Sequence, residues 1–151
     1  MIKRMIVVSA FLVCPLLSSA SAFSFTDVKG QTHTLAGYHG KWVLLNLWAT
    51  WCLPCLVEMP ELEALSKARS DLVVLGLAVD GQDARRVQQY ADKLKVSYPM
   101  IVGNPNLARQ FGAKGYPTSI LYDAAGRQVW FKEGPVARQE IERLVRQGGA
   151  N

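Results

Sequence analysis

The sequence predicts an α/β domain whose mixed central sheet is parallel at its core and closed by an antiparallel hairpin. Three observations carry that reading. Trp42–Trp48 and Leu72–Val79 are near-continuous apolar runs of strand length, as expected of strands covered on both faces. Each is followed by a segment with helical spacing of its apolar residues. Finally, Thr118–Tyr122 and Arg127–Phe131 flank Asp123-Ala124-Ala125-Gly126, the pattern of a β-hairpin. Strand–helix alternation requires parallel pairing, and the hairpin adds antiparallel strands at the end.

The 151-residue chain opens with a segment that reads as a leader. Lys3 and Arg4 precede the apolar stretch Met5–Leu17, and Ala20-Ser21-Ala22 fits the small-residue pattern cut by a signal peptidase. The expectation is a leader over residues 1–22, cleaved after Ala22, and one domain over 23–151. The apolar core of about 13 residues falls short of the roughly 18 needed to cross a bilayer, so a retained anchor is the weaker alternative. Cys14, preceded by Val13 instead of a small residue, reads as part of the leader. A formal net charge of +5, with Lys and Arg scattered along the chain, makes no nucleic-acid footprint.

In chain order, Phe25–Leu35 reads as a short strand–turn–strand with Lys29-Gly30 at the turn. Ala49-Thr50-Trp51 leads from the first buried strand into a helix beginning around Cys52 to Pro54. Proline suits a first helical turn, where its missing N–H would have no partner. Leu56, Met59, Leu62 and Leu65 give this helix an apolar side, and Pro60 within it predicts a kink. Asp83 caps the next predicted helix, which carries Val87, Tyr90, Ala91 and Leu94 at i, i+3, i+4 and i+7. Met100–Val102 reads as a short strand and Leu107–Phe111 as a helical turn. Pro135 is expected to open the last helix, with Ala137, Ile141, Leu144 and Val145 on its buried face. This order is the layout of a thioredoxin fold with an N-terminal β-hairpin extension.

Cysteine use points to chemistry. Beyond the leader only Cys52 and Cys55 remain, three positions apart. A disulfide closing so small a loop adds little stability, because the gain grows with loop length. At a helix N-terminus, unpaired N–H groups and the helix dipole favour the thiolate, the species that attacks a disulfide. Cys52 is therefore the expected nucleophile. Cys55, one turn on, is placed to displace whatever Cys52 holds. Glu58 follows three residues later on the same side, where a partly buried carboxylate would raise nearby thiol pKa values and relay the Cys55 proton.

Rival uses of the pair fit less well. A structural zinc site needs four ligands, and His33 and His39 lack the knuckle spacing. Haem attachment needs a histidine where Leu56 stands. Cu(I) delivery remains the serious binding-module rival, since two thiolates suit that ion. No metal or other cofactor is expected beyond the redox-active dithiol itself.

The stretch Asn46-Leu-Trp-Ala-Thr-Trp-Cys-Leu-Pro-Cys-Leu-Val-Glu-Met-Pro60 resembles the active-site segment of the TlpA/ResA/DsbE group of exported thioredoxin-like proteins. The likeness extends through Gly115-Tyr-Pro-Thr118 and the hairpin, and upstream through Thr26–Leu35. It implies that Pro117 forms a cis peptide bond and that the backbone of Tyr116 pairs with substrate as a short added strand. Trp51 and Pro54 complete the expected substrate-binding surface, with Trp48 and Trp51 shielding the dithiol. The same resemblance implies the Glu58 role above and net reduction of a disulfide-containing partner protein in the periplasm. Apocytochrome c is a candidate substrate, and a membrane thiol transporter of the DsbD or CcdA kind the expected electron donor. An oxidase or isomerase on the same scaffold is the alternative, and the protein is expected to be a monomer. Leu56, where the group often has a basic residue, Ser119-Ile120 in place of Thr-Phe, and the uncharged Leu53 depart from the pattern and bear on potential and partner.

Overall fold

A computed structural model describes residues 23–81 and 83–148. The leader over 1–22, its cleavage point and Cys14 lie outside the described residues. The elements are β1 (Ser24–Thr26), β2 (Thr32–Thr34), a 3-10 turn (Ala36–Tyr38), β3 (Trp42–Trp48), α1 (Leu53–Ala68), β4 (Leu72–Ala78), α2 (Ala84–Lys93), β5 (Met100–Val102), α3 (Pro105–Gln110), β6 (Thr118–Tyr122), β7 (Gln128–Glu133) and α4 (Arg138–Arg146). Strands β1 and β2 form the predicted N-terminal antiparallel pair. The other five make one sheet in the order β5-β4-β3-β6-β7. Strand β3 runs parallel to β4 and antiparallel to β6, so the parallel core and the closing hairpin meet on it. The β6–β7 turn closes at Gly126, whose φ of 77° a side chain would resist. This is a thioredoxin-like fold.

The strands alternate their side chains between two covered faces. On β3, Leu44 and Trp48 join α1, α2 and α4 in one core, while Val43, Leu45 and Leu47 join Phe23, Leu35, Ala108 and Ile120 in the other. Asn46 falls in the first row, a lone amide in an apolar face. Met59, Leu62 and Leu65 of α1 are fully buried there, each contributing about 1.5–3 kcal/mol. Helix α1 continues as one element through Pro60, which has no N–H to give the Leu56 carbonyl. The buried side chains on either side of it offset that loss.

The last helix starts later than the proline suggests. Helix α4 begins at Arg138, Ala137 is extended and exposed, and Val136 takes the buried place expected of Ala137. The reason is a tertiary bond: the Val136 N–H donates to Glu58 Oε2 at 2.9 Å, which keeps the chain extended through Ala137. Among the described residues no helix is long and apolar enough to cross a membrane.

Candidate active site

The site begins where β3 and β4 end together. The Val79 N–H reaches the Trp48 carbonyl at 2.9 Å. Two residues beyond the end of each strand, Asp80 accepts from the Thr50 N–H at 3.0 Å and from its hydroxyl at 2.6 Å. This clasp fixes the loop leading into α1. There the Cys52 N–H donates to the Ala49 carbonyl at 3.0 Å, and Cys52 becomes the N-cap of the helix.

In place of a capping oxygen, the Cys52 sulfur accepts from the Cys55 N–H at 3.3 Å. An otherwise unpaired donor of the first turn thus points at the sulfur. The two cysteines are joined as a disulfide, with Cα atoms 5.3 Å apart. Cys52 retains 4% of its surface and Cys55 none. Pro54 is exposed within the first turn.

Around the pair, Trp51, Leu53 and Val57 are about two-thirds exposed and form an apolar rim. The Trp51 ring meets that of Tyr116 edge to face, centroids 6.1 Å apart. This contact brings the Gly115–Thr118 loop beside the dithiol turn. The Tyr116–Pro117 bond is cis, and the Thr118 hydroxyl donates to the Gly115 carbonyl at 2.7 Å. Trp48, by contrast, is fully buried and packs against Tyr90. Of the two tryptophans, only Trp51 is at the surface.

Glu58 is 5% exposed. Its Oε1 accepts from Asn46 Nδ2 at 2.8 Å and its Oε2 from the Val136 N–H. Burial pushes its carboxyl above the ordinary value, opposed by these two donors and by the charge of Lys132. Asn46 also donates to Ser119 Oγ at 3.0 Å. The sequence reading missed Asn46, Asp80 and Val136. Asn46 had a signal, as the one polar residue in an otherwise apolar strand, and Asp80 had its place at a strand end. Val136 acts through its backbone, which no residue type reveals.

His33 is committed elsewhere: its ring bonds Asp27 Oδ2 at 2.9 Å within the N-terminal hairpin and the hydroxyl of Tyr38 in the 3-10 turn that follows. Among the described residues no cluster of three or more His, Cys, Asp or Glu could hold a metal ion.

A dithiol capping a helix at the end of a central strand, on this sheet order, defines a thioredoxin-like thiol–disulfide oxidoreductase. Residues 17–130 match the AhpC/TSA family. The chain is 33% identical over 128 residues to the thiol-disulfide oxidoreductase ResA of Geobacillus kaustophilus, covering 83% of this chain and 74% of that one. The chain belongs to the AhpC/TSA family, within its TlpA/ResA/DsbE thioredoxin-like group. Among solved structures, a thioredoxin-family thiol:disulfide interchange protein of Chlorobium tepidum superimposes with a TM-score of 0.74 at 29% identity, over 85% of this chain and 94% of that chain. The exposed lipoprotein thioredoxin Etrx1 of Streptococcus pneumoniae does so at 0.72 and 27%, over 84% and 99%.

Proposed function

We propose that this oxidoreductase works outside the cytoplasm as a reductase of partner-protein disulfides, with Cys52 as nucleophile. The observation that carries the assignment is the asymmetry of the pair: Cys52 has the exposed edge and the N–H of Cys55 aimed at its sulfur, while Cys55 is sealed. In the reduced enzyme the Cys52 thiolate attacks one sulfur of a partner disulfide. That S–S bond breaks, the departing partner sulfur takes a proton, and a mixed disulfide forms. Cys55 then gives its proton to Glu58, one turn on along α1, directly or through a water. The Cys55 thiolate attacks Cys52 Sγ and releases the second partner thiol. Two electrons have passed to the partner, and the Cys52–Cys55 disulfide is the oxidised state. A reduced dithiol of a membrane transporter of the DsbD or CcdA kind returns two electrons and two protons.

In this reading Tyr116 and Pro117 align the partner's backbone, and the exposed Trp51 and Pro54 contact its side chains. The apolar rim favours a protein partner over a small polar disulfide, and apocytochrome c is one such candidate. Periplasmic export rests on the leader-like residues 1–22 and agrees with the exposed lipoprotein among the structural relatives. The test is trapping in cells. Cys55→Ser should retain a partner on Cys52 that reductant releases, and Cys52→Ser should retain none. Trapping by Cys52→Ser alone would reverse the nucleophile. A reduction potential near the roughly −120 mV of a strong oxidant would reverse the direction of electron flow.

A further inference from the structure

Both hydrogen bonds that the described residues make to the Glu58 carboxyl come from donors: Asn46 Nδ2 on one oxygen and the Val136 N–H on the other. Asn46 turns both amide protons outward, one to Glu58 and one to Ser119, and leaves its own Oδ1 buried without a partner. A protonated carboxyl would be better served by that oxygen. The pocket is thus arranged for a carboxylate in a place where burial disfavours one.

A cation completes the arrangement. Asn46 stands opposite Ser119 in the β3–β6 register, and Ser119 stands opposite Lys132 in the β6–β7 register. The three lie in one cross-strand row, on the face under α1 and α4. Lys132 Nζ bonds Glu140 Oε2 of α4 at 2.7 Å, with the lysine side chain 36% exposed. The row therefore runs from the sealed carboxylate to the surface and ends on an ammonium shared with a second acid.

We propose that Lys132 is a positioning residue for the thiol exchange: its ammonium keeps Glu58 ionised and ready to accept the Cys55 proton, and Glu140 moderates that charge. This rests on the Glu58 role proposed above. The other ionisable groups near Glu58 are Cys52 and Cys55 at the start of its own helix, Glu63 further along that helix, and Tyr98, whose hydroxyl is buried without a partner and held well above its usual range by burial and by the Glu58 and Glu63 charges. All are acids, so Lys132 is the group in this set that favours the carboxylate.

The experiment follows reduced full-length protein reacting with limiting Ellman's reagent as a function of pH. The first thionitrobenzoate release reports attack by Cys52 and shows that each variant is reactive, and circular dichroism shows that each is folded. The second reports resolution by Cys55 and should rise with pH as Glu58 ionises. Lys132→Gln should move the second-phase midpoint upward by about half a pH unit, roughly threefold in rate below the midpoint. Glu140→Gln should move it downward. In a Glu58→Gln background both shifts should vanish. A Lys132→Gln profile that superimposes on the parent, or a shift that persists without Glu58, overturns the proposal while leaving Glu58 in place. If Glu58→Gln alone leaves the profile unchanged, the Glu58 reading fails and the Lys132 role falls with it.

Discussion

Asn46 and Glu58 are twelve positions apart and fully or nearly buried, yet the amide of one meets the carboxylate of the other at 2.8 Å. The contact joins the central strand to the helix that carries the dithiol. Through Val136 the same carboxylate also secures the chain entering α4. A group suited to moving a proton is therefore also a structural tie, and its two roles separate only through pH.

Asn46→Ala should destabilise the oxidised protein by about 2–3 kcal/mol at neutral pH, because it leaves a buried carboxylate oxygen without its donor. The loss should shrink in acid, where Glu58 is protonated and carries no unpaired charge. Urea unfolding at neutral and acid pH checks both values.

The Glu58 carboxyl is raised by burial, more than Val136, Asn46 and Lys132 offset. Between its ordinary and its folded pKa the native state holds a proton that the unfolded chain has released, so stability falls as pH rises through that window. Glu58→Gln should remove this descent, and the variant should gain on the parent as pH increases. The same substitution should slow the resolving step on the order of a hundredfold, the usual scale for losing a general base. Unfolding of the oxidised form and the rate of mixed-disulfide resolution measure the two effects separately.

Much of this was legible in residue pattern. Strands β3, β5 and β6 fall where their residue pattern placed them; β3 and β6 are covered on both faces, which leaves no ambiguity about which residues are buried. Asp83 caps α2 as expected, its side chain accepting from the Arg86 N–H. Pro135 misled, since proline suits a first helical turn but equally suits the extended approach to one. Glu58 was legible from its spacing to Cys55. Its partners were not, because they sit 12 and 78 positions away and one of them is a backbone N–H. Trp48 and Trp51 look alike in sequence. Strand alternation puts the first in the core, and the loop held by Asp80 carries the second to the surface.

Glu63, two turns beyond Cys55 on α1, gives a pH effect of opposite sign. Burial would raise its carboxyl, but Lys67, the Ser97 hydroxyl and the N–H groups of Ser97 and Tyr98 together hold it below the ordinary value. Its contribution is present above the ordinary carboxylate range and lost as pH falls through the folded value. Glu63→Ala should cost about 2–3 kcal/mol at neutral pH and much less in acid, given several hydrogen bonds to one charged group. The melting temperature of parent and variant across pH should converge toward low pH.

Trp51→Ala separates recognition from stability. The side chain is 70% exposed, so its removal should change stability by under about 0.5 kcal/mol. Its edge-to-face contact with Tyr116 and its place in the rim with Leu53 and Val57 matter only when a partner covers them. An aromatic contact completed on docking is worth about 0.5–1.5 kcal/mol, or roughly twofold to tenfold in rate. Exchange with a folded protein disulfide should slow by that factor, while exchange with a small disulfide such as oxidised glutathione should change much less. Equal slowing with both substrates would mean that Trp51 acts on the dithiol itself, through the Ala49–Cys52 turn, and not on the partner.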